Sequence, residues 1–266
     1  MRSITDLATL SRSRELWLSI AFLIAILAAW EWLPATFGIP AFILPPISDI
    51  AHEFVRLYAR ENLWLHTGVT FAETIVGFIF GSLLGMITGY VLGRSRTAEI
   101  ILSPYILMLQ IAPKVAFAPL FIIWFGYNAF PKILVAILIV FFPIAINVLK
   151  AMHAVDPALV NLARTFSATR AQIFWKIEFP ASMPALFAGL RIGSTLAVIG
   201  IVVGEFIGGN RGLGYLLIVG EGQGRTSMVF VSIVLLTLIG LIAYLCVLGL
   251  ERYVLHYMPE RSHANI

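Results

Sequence analysis

Long apolar runs alternate with short polar connections along this chain, and the length of the runs sets the first constraint. Six of them approach or exceed the roughly 20 residues that a helix needs to cross a hydrocarbon core. They are Leu16–Leu33, Val69–Gly93, Ile100–Gly126, Ile133–Leu149, Leu186–Ile207 and Val229–Leu250. Each predicts a membrane-spanning helix, so the expected fold class is all-α: a polytopic membrane protein with six transmembrane helices. Trp17, Trp30 and Trp32 sit near the ends of the first run, where interfacial aromatics belong. That run is long and no clear small-residue cleavage site follows it, which favours a span over a cleaved leader.

Between the fourth and fifth runs lies a polar island, Val155 to Pro184. Asp156 followed by Pro157 reads as a helix N-cap with a first-turn proline. Leu159, Leu162, Ala163 and Phe166 recur at i, i+3, i+4 and i+7, one apolar stripe on a short helix. Ser167 to Thr169 break the run. Thr169 and Gln172 have capping-box spacing and predict a second short helix carrying Ile173, Phe174 and Ile177, stopped by Pro180. Two capped amphipathic helices in one loop point to a surface held by another protein. The plainer alternative is a pair of helices lying on lipid headgroups. A second amphipathic stretch follows Pro45 and Pro46. Ile47, Ile50, Phe54, Leu57 and Tyr58 oppose Asp49, Glu53, Arg56 and Arg60, as in an interfacial or packed helix before the second span.

Within the spans, Gly77, Gly81, Gly85, Gly89 and Gly93 are spaced by four and lie near one helix face. Such a groove lets another backbone approach closely. Gly189, Gly193 and Ala197, then Gly200, Gly204 and Gly208, form two further ladders in the fifth span. They read as tight seams of a bundle, with sliding surfaces as the alternative. The third run carries Pro104, Pro113 and Pro119, and broken backbone at depth must be covered by protein or by a watery cavity. Lys114 follows Pro113, and an isolated lysine at mid-span costs roughly 2.5–3.5 kcal/mol. It is either an attraction site for an anionic solute or a lysine reaching water from a shorter span. Arg191, near the start of the fifth span, is read chiefly as snorkelling. Glu205 at its other end either faces the exit of a conduction path or caps local structure with Asn210 and Arg211. Glu73 is equally open. The candidate path residues are therefore Lys114, Pro113 and Glu205.

Composition agrees with the pattern: 60% of residues are hydrophobic, 12% are charged and the mean hydropathy is +0.94. Charge sets an orientation. With the N-terminus inside, Arg2, Arg12, Arg14, Arg94, Arg96, Lys150, Arg164, Arg170, Lys176, Arg252 and Arg261 fall on the cytosolic side. Only Arg56, Arg60, Lys132, Arg211 and Arg225 fall on the other. The positive-inside rule then predicts that both termini are cytosolic, and the net charge of +4 needs no nucleic acid to explain it. Cys246 stands alone inside the sixth span, so cysteine builds neither a disulfide framework nor a metal site. The expected organisation is a cytosolic tail, 1–15; the first span with its external amphipathic segment, 16–65; a core domain, 66–250, with its loop at 155–184; and a second cytosolic tail, 251–266.

A membrane enzyme would need a nucleophile–base pair or a ligand cluster at depth. His52, His66, His153, His256 and His263 all lie away from the middle of a span, and no catalytic residue is assigned. No phosphate-cradling Gly-x-x-x-x-Gly-Lys-[Ser/Thr] occurs, so an ATPase, if there is one, is a separate chain. The glycine-rich GGNRGLG and GEGQGR read as turn material. An ion-coupled secondary transporter or channel is the runner-up, although such proteins are usually built from repeated halves and no repeat is visible.

The stretch Asn161-Leu162-Ala163-Arg164-Thr165-Phe166-Ser167-Ala168, followed by Ile177-Glu178-Phe179-Pro180, resembles the EAA loop of bacterial ABC-importer permeases. Its pattern is Glu-Ala-Ala, a glycine, then an Ile-x-Leu-Pro tail. Asn161 stands at the Glu position and Ser167 at the glycine. FILPPISDI, APLFIIWFG and GGNRGLGYLL are similar to the nitrate/sulfonate/taurine permease group, which also includes importers of pyrimidine thiamine precursors. The likeness runs from about residue 40 to residue 250 and implies a type I importer permease fold with cytosolic coupling helices. It also implies a homodimer in the bacterial cytoplasmic (inner) membrane and a periplasmic or lipid-anchored binding protein. Two cytosolic ABC ATPases would hold ATP and Mg, with no cofactor on this chain. The cargo it implies is a small anionic or polar organic solute. The residues implied to touch the ATPase are Asn161, Leu162, Ala163, Arg164, Thr165, Phe166, Ser167, Ala168 and Thr169, with Phe166 as apolar anchor.

Overall fold

The computed structural model describes residues 4–256, with side chains from Glu15 onward. Arg2, Arg261, His263 and the rest of residues 1–3 and 257–266 lie outside the described residues, as do the side chains of Arg12 and Arg14. Among the described residues every regular element is helical. In order these are α1 (Ile4–Thr36), α2 (Ile47–Arg60), α3 (Leu63–Arg94), α4 (Arg96–Ile111), a 3-10 turn (Lys114–Phe117), α5 (Ala118–Phe125) and α6 (Ala129–His153). Then follow α7 (Pro157–Thr165), α8 (Arg170–Ile173), a π-helical turn (Phe174–Glu178), α9 (Phe179–Gly208), α10 (Leu213–Gly222) and α11 (Thr226–Val254).

Among the described residues, five helical stretches are long and apolar enough to cross a membrane: Glu15–Thr36, Leu63–Arg94, Ala129–His153, Arg170–Gly208 and Thr226–Val254. The remaining expected span, the third, is a bent pair, Arg96–Ile111 and Lys114–Phe125, meeting at 88°. Of its three prolines only Pro113 breaks the helix. Pro104 is carried inside α4, and Pro119 sits in the first turn of α5, where no backbone donor is required. The helices outrun the apolar runs because capped polar ends extend them; the Asn128 side chain, for instance, accepts from Phe130 N at the start of α6.

Pro180 does not stop the chain after α8, contrary to the spacing argument. Phe179 N donates to Phe174 O, one residue further back than in an α-helix, and this wider turn accommodates Pro180 at the start of α9. Arg170 to Gly208 is therefore one helical stretch of 39 residues.

The described residues form two compact units, one gathering those up to Leu63 with Leu216–Ile233, the other Trp64–Tyr215 with those from Val234 onward. In the first, the Glu31 carboxylate accepts from Ser48 N (3.0 Å) and Ser48 Oγ (2.7 Å), so α1 caps α2. Trp30 Nε1 donates to Pro45 O, and the Arg225 guanidinium donates to both Glu53 and Glu61. With Leu57 fully buried, α2 is packed along one face, while Phe54, Val55 and Tyr58 stay exposed on the rest.

In the second unit α6 is the central helix, lying between two rows of glycines. A Cβ placed on Gly77 would come 2.7 Å from Ala136 Cβ, and one placed on Gly200 would come 2.6 Å from Ala136 Cα. The same holds one turn along, where Gly81 and Gly193 face Val140, and again where Gly85 and Gly189 face Ile144. Gly89 meets Val148, and Gly93 meets Met152. The two spans approach α6 as closely as backbone allows, which maximises dispersion contact where no hydrophobic force acts between helices.

Candidate functional site

The polar island is built as a stiff, exposed surface. Asp156 Oδ1 accepts from Ala158 N (2.8 Å) and caps α7. At the other end of α7, Ser167 adopts φ +59°, its amide donates to Arg164 O, and Ala168 N donates to Ala163 O (3.0 Å). That pair of bonds around a left-handed residue is a Schellman turn. Thr169 and Gln172 then close a reciprocal capping box on α8. The position where the resembled motif carries glycine thus takes glycine's backbone angle with a serine. Ser167→Gly is expected to relieve a left-handed penalty of about 1 kcal/mol. Exchange of the Ala168 amide, followed by hydrogen–deuterium exchange, should slow about fivefold; unchanged exchange would show that the turn is unstrained.

Between α7 and the π turn runs a groove of about 200 Å³, lined by Ala163, Phe166, Ala168, Gln172, Ile173, Lys176 and Ile177. Phe166 forms its lip and is 79% exposed; Leu159 and Leu162 are also more than half exposed on the same stripe. Asn161, Arg164, Thr165 and Thr169 are exposed too, and Thr165 Oγ1 donates to Asn161 O. The π turn is anchored inward: Tyr90 meets Phe174 edge-on with ring centroids 5.4 Å apart, Arg94 lies over that ring, and the Tyr90 hydroxyl bonds Ser182 Oγ at 2.8 Å.

At the opposite end of the same helical stretch, Glu205 is 1% exposed and engaged through both oxygens. Thr70 Oγ1 donates to one (2.8 Å) and Gly214 N to the other (2.7 Å). Leu213 N donates to Thr70 Oγ1, and Gly212 N to His66 Nδ1. Three successive amides that open α10 are therefore all held by side chains of α3 and α9. Gly212 and Gly214 are required here, because a Cβ on either would run into the Glu205 side chain. Asn210 and Arg211 provide none of these bonds. Beside this latch, Lys132 Nζ pairs with Glu73 at 2.5 Å, both side chains buried.

Lys114 stands at the break of the bent pair. Its Nζ donates to Gln110 O (2.6 Å), the carbonyl that its own amide would have served in an unbroken helix, and lies 5.0 Å from the centre of the Phe142 ring. Arg191 pairs with Glu251 (3.2 Å) on α11. Thr70, His66 and Lys132 were not among the candidates from sequence. His66, Thr70, Glu73 and Thr74 nevertheless fall at i, i+4, i+7 and i+8 of an otherwise apolar helix, and a polar stripe of that period marks a face turned towards protein.

Residues 81–256 match the family described as "Binding-protein-dependent transport system inner membrane component". The chain belongs to this family. Among its relatives is the riboflavin transport system permease protein RibX of Chloroflexus aurantiacus, 37% identical over 235 residues, 88% of either chain. Another is the taurine transport system permease protein TauC of Escherichia coli, 30% identical over 245 residues, 90% of this chain and 88% of TauC. In fold the chain is similar to the MetNI methionine ABC transporter in an inward-facing conformation. The TM-score is 0.63 at 21% identity, over 73% of this chain and 98% of that one. This family member is accordingly a multi-span ABC transporter permease subunit with a type I importer fold, and the ion-coupled alternative falls away.

Proposed function

We propose that this permease is driven through the α7–α8 loop by a separate cytosolic ATPase, and that it works as a pair of identical copies. The observation that carries the proposal is the exposed stripe Leu159, Leu162 and Phe166 beside a preformed groove. Apolar residues at this spacing on a capped helix suit helix-in-groove docking. The residues from Asn161 to Thr169 form the contact, with Phe166 as anchor. ATP and Mg are held by two such ATPases, and this chain binds no cofactor of its own. Both termini lie in the cytosol, and a periplasmic or lipid-anchored binding protein delivers the solute on the far side.

Coupling runs along Arg170–Gly208. The stretch carries groove residues, Gln172 to Ile177, near one end and Glu205 near the other, roughly 40–50 Å apart at about 1.5 Å per residue. A displacement of the loop is carried through the π turn and along α9 to the latch on α10. ATP biases the equilibrium only because the ATPase pair holds the two loops differently in its open and closed forms. The solute is a small polar or anionic organic molecule, with riboflavin and taurine in the names of relatives marking the breadth of the class. Lys114 and Pro113 line its path at the break. Glu205 acts on that path through the latch.

Phe166→Asp should release the ATPase. Losing an aromatic anchor costs about 2 kcal/mol or more at an interface, which is roughly thirtyfold in affinity. In vesicles reconstituted with the ATPase, uptake should fall at least tenfold while the variant still folds. Full coupled uptake by this variant would overturn the docking proposal.

A further inference from the structure

Three cations stand on the α7–α8 loop with no acid opposite them. Arg164 on α7, Arg170 at the start of α8 and Lys176 on the π turn are all exposed, and Lys176 also forms part of the groove wall. Among the described residues, none of the three has a carboxylate within ion-pair distance. The acids of the same stretch are otherwise placed: Asp156 caps α7, and Glu178 is half-buried at the end of the π turn. Among the described residues Arg60, Lys150, Arg211 and Arg252 also lack an ion pair, and what sets the loop's three cations apart is their place around the groove and the exposed apolar stripe, whereas several cations elsewhere are answered. Lys132 is paired with Glu73, Arg191 with Glu251, Arg96 with Glu99, and Arg225 with Glu53 and Glu61.

Unanswered charge around exposed apolar side chains fits a surface whose partner brings the opposite sign, because complementary rims steer encounter and fix register. We propose that the docked partner is an acidic-rimmed protein surface, whose carboxylates meet Arg164, Arg170 and Lys176 around an apolar contact with Phe166. This rests on the docking reading above and adds the chemistry of the partner's face. A protein fits better than an anionic bilayer. Lipid headgroups attract cations on an amphipathic helix of any shape, whereas this loop holds a hollow between two elements fixed by a Schellman turn and a capping box. A concave, stiff site suits an inserted side chain.

The test uses the full-length permease in nanodiscs of neutral phosphatidylcholine, titrated with the ATPase that co-purifies with the tagged permease from its native membranes. Wild-type affinity should fall at least tenfold between 50 and 300 mM KCl, on the order expected when several rim pairs are screened. The triple variant Arg164→Glu, Arg170→Glu, Lys176→Glu should bind about a hundredfold more weakly at low salt and lose its salt dependence. The neutral triple variant, Gln at the same positions, should show the same flattened salt dependence if charge reversal disturbs folding. Phe166→Asp should weaken binding equally at both salts. If Phe166→Asp fails to bind while both triple variants behave as wild type, the acidic rim is wrong and the docking reading survives. If all variants bind as wild type, both are wrong. If the triple variants differ from wild type only in discs containing anionic phosphatidylglycerol, the cations serve lipid and the proposal is overturned.

Discussion

Gly200→Ala is expected to lower the stability of the folded bundle by about 3 kcal/mol, the upper range for overpacking a tight core. The added carbon would sit 2.6 Å from Ala136 Cα and 3.1 Å from Ala136 N, and neither backbone atom can turn aside. Relief requires α6 and α9 to separate along their whole seam. For a chain of this size the thermal midpoint should drop by about 6–12 °C, read by tryptophan fluorescence in detergent. Gly249→Ala is the matched control, since nothing lies within 4 Å of its added carbon. It should be neutral or gain up to about 1 kcal/mol from helix propensity. Gly77→Ala falls between the two, because its added carbon meets the Ala136 side chain at 2.7 Å and Ala136→Gly in the same chain removes that clash. Equal midpoints for Gly200→Ala and Gly249→Ala would show that the glycines are not contact positions.

Lys132→Met should destabilise by about 3–5 kcal/mol, the usual result of stranding one member of a buried ion pair. Lys132 is 5% exposed and Glu73 7%, so the orphaned carboxylate has little water to turn to. Glu205 lies in the neighbouring latch, and Gly204 packs directly against Lys132, its added Cβ falling 2.8 Å from Lys132 Cα. The double variant Glu73→Gln, Lys132→Met removes both charges and should recover most of the loss, so a double-mutant cycle should show a large coupling energy. Additive effects in the cycle would mean that the two side chains act independently.

The spans were readable because apolar length is a direct physical requirement of the bilayer. The two caps of the island were readable because Asp156-Pro157 and Thr169-x-x-Gln172 act locally. Pro180 misled for an instructive reason: proline forbids an α-type bond at its own position, but the π turn Phe174–Glu178 just before it re-aims the backbone so that the helix continues. The three prolines of the third run look equivalent in sequence, yet their effect depends on position within a turn, and only Pro113 produces the break. Lys132 is a loop cation by hydropathy and a buried partner of Glu73 by packing, since pairing depends on which helices α6 lies between. For Glu205 the sequence leaves open a path exit or a local cap with Asn210 and Arg211, and it identifies neither of the partners found. One partner lies 135 residues away in sequence, at Thr70, and the other is the Gly214 amide, whose role as a donor no side chain announces.

The central claim is that the α7–α8 loop is where a cytosolic ATPase takes hold. Hydrogen–deuterium exchange of the permease with and without that ATPase tests it most directly. Amides from Leu162 to Thr169 should exchange at least tenfold more slowly in the complex, a gain in local stability of about 1.4 kcal/mol or more. Unchanged exchange across that stretch in a fully formed complex, with protection arising elsewhere on the chain, would contradict it.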